Sequence, residues 1–248
     1  MFRLLSVNRT TVSVAIMYDT PDNRIPLTRI QRLIGRLMLE SKQRCPACYL
    51  QVEADLTELT ALRKPLSKDC GVRITTNDFF FCALARAIPE FPLMAARLDE
   101  AGHAIEISAR VGIGFAVAAP QGLVVPVIQD AAGKDLVQLS RESDVLLKKA
   151  RSNRLVPDDL CGENVVLSGL GMYGVRSFHA IAPTCASAIL SLGNLHEMVH
   201  ADGEGFVVRK KMWVGLAANR CLMHEVYAAR FLRRLVDLLE NPVQLTRL

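Results

Sequence analysis

A chain of 248 residues whose formal charge of +5 is spread among interleaved acids has no basic stripe of the kind a phosphate backbone requires, which argues against a nucleic-acid partner. Half of its residues are hydrophobic and 22% are charged, a globular composition slightly richer in apolar residues than usual, which excludes a disordered chain and points to buried subunit interfaces. Seven irregularly spaced cysteines are no disulfide framework and indicate a reducing compartment, expected to be the cytoplasm; the most apolar run, residues 111–128, is broken by Pro120, Gly122 and Pro126 and excludes a membrane span there.

Residues 1–24 are read as an N-terminal extension or strand. Val12, Val14, Ile16 and Tyr18 alternate with smaller residues at a period of two. The alternative is a transit peptide, because Arg3 and Arg9 lie among Ser and Thr with no acid before Asp19; that reading would place the chain in the mitochondrial matrix. From Ile25 the pattern becomes helical. Thr28 and Gln31 have the spacing of a capping box, and Ile30, Leu33, Ile34, Leu37, Met38 and Ser41 share one face. Residues 49–55 read as a strand and 56–62 as a short helix that Pro65 breaks before a turn at 69–71.

Asn77 is expected to cap a helix over 78–88 that is apolar on nearly every side and must be buried. Residues 111–118 and 123–128 read as a core hairpin joined by Ala119-Pro120-Gln121-Gly122. A long amphipathic helix spans 134–151, and strands follow at 164–167, 188–192, 205–209 and 212–217. A last helix covers 225–239 and ends before Pro242. Without repeat or linker, residues 25–248 read as a single mixed α/β domain.

Several local patterns suggest chemistry, and each has a plainer explanation. Cys45-Pro46-Ala47-Cys48 has redox-pair spacing, but it follows a helix and leads into a strand, the wrong end of the dipole for lowering a thiol pKa, and no second pair completes a zinc tetrad. No metal site is expected. His103, His179, His196, His200 and His224 show no triad signature, and Gly193 and Gly203 leave little helix around His196 and His200, which are placed in a turn or on the surface. Gly169-Leu170-Gly171-Met172-Tyr173-Gly174 matches a dinucleotide-loop spacing but lacks a clean helix after it, so a tight turn needing positive φ is expected. Ser168 is a hydroxyl at a strand end.

Taken in order, Ile25-Pro26-Leu27-Thr28, Ser41-Lys42-Gln43, Thr76-Asn77-Asp78-Phe79, Gly122-Leu123-Val124-Val125-Pro126-Val127, Leu155 with Pro157-Asp158-Asp159-Leu160, Ser168 with Leu170-Gly171-Met172-Tyr173-Gly174, and Leu239-Glu240-Asn241-Pro242 resemble the catalytic core of the dihydrolipoamide acyltransferases of 2-oxoacid dehydrogenase complexes. The resemblance covers roughly residues 24–242. It implies a chloramphenicol-acetyltransferase-like mixed sheet with helices packed against it, assembled as a trimer with active sites between subunits. It also implies coenzyme A or an acyl-CoA as cofactor. In that family a histidine takes the proton from an attacking thiol, and a serine across the boundary hydrogen-bonds the tetrahedral oxyanion. Ser168 matches the serine.

The histidine motif, Asp-His-Arg-x-x-Asp-Gly, aligns with Ala218-Asn219-Arg220-Cys221-Leu222-Met223-His224. Asn219 stands at the histidine and Met223 at the second aspartate. Arg220 is retained, and the family's helix-borne arginine falls at Gln31. An amide cannot accept and return a proton at neutral pH, so the alignment implies a pseudoenzyme: a homotrimer, or a mixed trimer with an active relative, that binds or assembles. The non-catalytic component called protein X shows that the family tolerates such a member. The alternative is a stand-alone acyltransferase moving an acyl group from coenzyme A to a thiol or other acceptor. His224, five residues beyond Asn219, is turned away from it by helical geometry and reads as a helix-start residue. The chain shows no lipoyl domain, and Thr246 and Arg247 make its tail less apolar than the family's, which favours a bare trimer over a cage.

Overall fold

A computed structural model describes residues 25–120, 122–203 and 205–246. The strand or transit peptide expected within residues 1–24 lies outside them. Chain order runs α1 (Arg29–Arg44), β1 (Ala47–Asp55), α2 (Thr57–Asp69), α3 (Thr76–Glu90), β2 (Ala96–Leu98), β3 (Ile105–Ile107), β4 (Ile113–Phe115), β5 (Val117–Ala119), β6 (Gly122–Val124) and β7 (Val127–Ile128). It continues through α4 (Leu136–Arg151), β8 (Val165–Gly169), β9 (Ala188–Leu192), β10 (His196–Asp202), β11 (Gly205–Asn219), α5 (Glu225–Glu240) and α6 (Val243–Thr246).

The main sheet is mixed, in the order β1-β11-β9-β8-β4-β7 with β10 also on β11. Strands β4, β8 and β9 run parallel, and β1, β7 and β10 are antiparallel to their neighbours. The expected hairpin forms in two stages, with β4 and β7 in the main sheet and β5 with β6 as a separate ribbon at its tip.

One sheet face packs on α3 and α5. Phe79, Phe80, Phe81 and Leu84 of α3 and Phe231, Leu232 and Leu235 of α5 are buried there, so the all-round apolar character of α3 is matched by burial. The cap of α3 is Thr75, not Asn77: the Asp78 carboxylate accepts from Thr75 N at 2.6 Å and Thr75 Oγ1 at 2.8 Å. Ser143 Oγ of α4 donates to the same buried carboxylate at 2.8 Å, which ties the two helices together. The capping box at Thr28 and Gln31 is present, with both bonds near 3 Å (2.9 and 3.1 Å).

Two boundaries differ from the sequence reading. Helix α2 continues through Pro65 to Asp69, and its end is held by Ser67 Oγ, which donates to Arg63 O at 2.9 Å and accepts from Ile74 N at 3.0 Å. The segments at 205–209 and 212–217 are one strand, β11, and residues 196–202 add the strand β10, so His196 and His200 lie on a strand rather than in a turn.

The opposite sheet face is covered by the C-terminal turn of α1 and the extended segment 178–182. Ser41 Oγ donates to Ala182 O at 2.5 Å, and Ala180 and Ala182 pack on Ala217, Ile189 and Val166. Earlier turns of α1 leave this support: Ile30, Leu33 and Leu37 are 45%, 50% and 42% exposed, and the amphipathic face read from the sequence is uncovered in a single chain.

Candidate active site

Asn219 ends β11. Its backbone N–H donates to Ser187 O at 2.8 Å, its carbonyl accepts from Leu222 N and Met223 N, and its side-chain Oδ1 accepts from Cys221 N at 2.9 Å. This side-chain turn fixes the amide, because the oxygen faces a backbone donor and the nitrogen must point the other way. Among the described residues nothing accepts from Nδ2, although the residue is only 6% exposed. Asn219 lines a cavity of about 440 Å³ with Arg44, Cys45, Arg97 and Cys185, and a much smaller one with Ser41, Lys42 and Tyr49. A fixed amide N–H of this kind can donate a hydrogen bond to a carbonyl or oxyanion; it offers no acceptor for a thiol proton.

Ser168 lies on β8, half-buried, and its register carries it across the sheet: Ser168 is level with Ser191 of β9, and Ser191 with Gly215 of β11. Ser168 and Asn219 are therefore four residues along and two strands across from each other, about 16 Å at ~3.3 Å per residue and ~4.8 Å per strand. The two residues do not meet within one chain.

Arg220 turns outward and pairs with Glu225 at 2.5 Å, leaving the cavity to Asn219. Met223 is 3% exposed and packs in the core on the α5 side, away from either cavity. Gln31 caps the first turn of α1, ten residues and about 15 Å of helix from Ser41. So the positions aligned with the family's ion pair are not brought to Asn219. His224 is the N-cap of α5, its Nδ1 accepting from Tyr227 N at 3.3 Å, as a helix-start residue should.

Cys45 is the C-cap of α1 and Cys48 lies in β1; burial raises both thiol pKa values, the opposite of an activated redox pair. Among the described residues, no group of three or more His, Cys, Asp or Glu could hold a metal ion. Gly174, at φ +76°, is the left-handed turn residue expected, and Gly171 sits against the Gly193 carbonyl where a Cβ would approach to 2.4 Å. Sequence reasoning missed Cys185, whose thiol donates to Glu163 Oε1 at 2.8 Å, and the grouping of Lys42, Tyr49 and His179. Their positions depend on segments 163 and 179–185 crossing the sheet, which no local pattern encodes.

This mixed sheet is the architecture of a known class. A dihydrolipoamide acetyltransferase (E2p) structure from Azotobacter vinelandii superposes with a TM-score of 0.84 at 32% identity, over 90% of this chain and 93% of that one. A chain from the cubic core of a pyruvate dehydrogenase multienzyme complex gives 0.84 at 31%, over 98% and 100%. The fold is thus that of the dihydrolipoamide acyltransferase cores, as the sequence resemblance implied.

The chain belongs to the family described as 2-oxoacid dehydrogenases acyltransferase (catalytic domain), whose model matches residues 19–247. It is 35% identical over 97% of its length to the dihydrolipoyllysine-residue acetyltransferase component of the pyruvate dehydrogenase complex of Rickettsia prowazekii, and spans 60% of that protein. It is 30% identical over 89% of its length to the mitochondrial pyruvate dehydrogenase protein X component of Mus musculus, spanning 44% of that one.

Proposed function

We propose that this protein is a trimer-forming acyltransferase core that binds an acyl-thioester but is impaired in base catalysis, and that it serves as a binding or assembly component, alone or mixed with an active relative. The observation that carries this reading is Asn219: a buried amide locked by its own turn, presenting an N–H and no proton acceptor. Loss of a general base typically lowers a rate by ~10²–10⁴-fold. A thiol acceptor softens the loss, because a few per cent is already thiolate near neutral pH.

Two further features support the reading. The ~16 Å between Ser168 and Asn219 calls for a second copy to bring a serine to each amide, and the bare face of α1 offers apolar surface for that contact. The larger cavity presents the Asn219 amide as a donor for an acyl carbonyl, while its two arginines are already paired, Arg97 with Glu106 and Arg44 with Glu40. Similarity to a protein X component agrees with a member that assembles rather than turns over.

The test is thiol-dependent transfer from acetyl-CoA to dihydrolipoamide, with acetyl-CoA binding followed by calorimetry. Binding with slow turnover agrees with the proposal. Brisk turnover that collapses in Ser168→Ala would replace it with a stand-alone acyltransferase.

A further inference from the structure

The two cysteines of Cys45-Pro46-Ala47-Cys48 are divided by the sheet. Cys45 lines both cavities that Asn219 lines, whereas Cys48 packs against the core cluster on the α5 side. A different cysteine stands opposite Cys45. In the β1–β11 ladder Ala47 is opposite Asn219, and Arg220 N donates to Pro46 O at 2.8 Å, so the pairing runs one step past the strands. The next position sets Cys45, the C-cap of α1, level with Cys221, in the turn that Leu222 N closes on Asn219 O at 3.1 Å. Pro46 and Arg220 are a hydrogen-bonded level of the ladder. At the non-bonded level that follows, opposite Cα atoms of an antiparallel pair stand ~4.5 Å apart, inside the ~4.4–6.8 Å that a disulfide spans. Both thiols are free, Cys221 exposed and Cys45 half-buried. Burial first, and then the charge of Cys221, raise the Cys45 pKa, so the two sulfurs sense each other.

We propose that Cys45 and Cys221 are a reversible disulfide site, closed by a small disulfide of the glutathione class, that ties the end of α1 to the turn holding Asn219. The exposed Cys221 meets the reagent first. Its thiolate attacks one sulfur of oxidised glutathione, the S–S bond there breaks, and one glutathione thiolate leaves. The Cys45 thiolate then attacks the Cys221 sulfur and expels the second. The cysteines give up two electrons to the glutathione disulfide, and the protons they lose end on the two released glutathione thiols. Once Cys221 carries glutathione, its sulfur no longer bears the charge that raises Cys45, and the second attack is intramolecular. Neither rival partner of Cys45 is so placed: Cys48 lies on the other side of the sheet, and the Cys185 thiol is engaged by Glu163 at 2.8 Å. Because the Cys221 N–H is the donor that fixes the Asn219 side chain, the new bond braces that turn.

The experiment incubates the full chain in glutathione buffers from fully reduced to fully oxidised, traps free thiols by alkylation and maps linkages by mass spectrometry. A Cys45–Cys221 linkage is expected to lead every other intrachain pairing in native buffer, to be reversed by dithiothreitol, and to lose its lead in urea, where the fold no longer aligns the two thiols. Cys48→Ser should leave it intact, and Cys45→Ser should stop at glutathione on Cys221. Linkage of Cys45 to Cys48 or Cys185 in its place overturns the proposal. So do free thiols at both positions in fully oxidised buffer, glutathione that stays on wild-type Cys221, or a pairing pattern that urea does not change. The wild-type map decides even where a variant fails to fold.

Discussion

At Asn219 one side chain has two jobs that a histidine would divide differently. Its oxygen closes the turn that carries β11 into α5, and its nitrogen is left for whatever enters the cavity. Replacing it by Ala would remove the turn bond and leave the Cys221 N–H without its acceptor, at a cost of about 1–3 kcal/mol, readable as a lower urea midpoint with unchanged slope. Cys185 shows a different kind of residue-level control. Burial of its thiol and the neighbouring Glu163 carboxylate push its pKa up to about 12, because both disfavour the thiolate. In thiol labelling near neutral pH, Cys161 and Cys221 should therefore react before Cys185, although all three are surface residues, and the fully buried Cys82 should react last, with Glu163→Gln speeding Cys185. Equal labelling of Cys185 and Cys221 would contradict this account.

Among the elements, the C-terminal end of α3 is joined to the middle of α5 by Glu90 and Arg234, paired through two bonds of 2.8 Å. The hydrogen bonds from Arg234 hold the Glu90 carboxyl below its ordinary value. A carboxyl whose folded pKa is depressed stabilises the fold above its unfolded pKa and loses that contribution as pH falls through the folded value. Both side chains are more than a third exposed, so Glu90→Gln should cost only about 0.5–1 kcal/mol at neutral pH, and the difference should vanish in acid; an undiminished difference there would refute it. Gly193→Ala is the harsher change, since its Cβ would stand 1.9 Å from Arg176 O, and about 1–3 kcal/mol of destabilisation is expected in urea unfolding.

Legibility followed the range of the forces at work in each element. The capping box of α1 and the buried character of α3 are set by residues three or four apart and could be read directly. Strand β11 could not, because Lys210 and Lys211 look like a break; in the fold the strand changes partners there, from β10 to β1 and β9, and Lys211 pairs with Asp55 at 3.2 Å. Strand β10, with two histidines and two acids, has no apolar alternation to reveal it. The end of α2 hid behind Pro65 because the Ser67 hydroxyl that secures it takes its second bond from Ile74 N, beyond the following turn. Ser168 and Asn219 are singled out by their motifs alone, but their separation depends on strand order, as does the meeting of Lys42, Tyr49 and His179.

For the whole molecule, the apolar stripe Ile30, Leu33 and Leu37 is too large to be left in water without consequence. A trimer that covers it should appear in light scattering at three times the chain mass, and a Leu33→Lys, Leu37→Lys variant should appear as a monomer that stays folded, since neither position supports the chain's own core. A variant still trimeric would show that subunits meet elsewhere. The most direct test of the central claim, that an amide has displaced the proton acceptor of an acyl-transfer site, is the rate of acetyl transfer from acetyl-CoA to dihydrolipoamide by Asn219→His beside the wild type. A gain of about 10²-fold or more is predicted; equal rates from a folded variant that binds acetyl-CoA would contradict it.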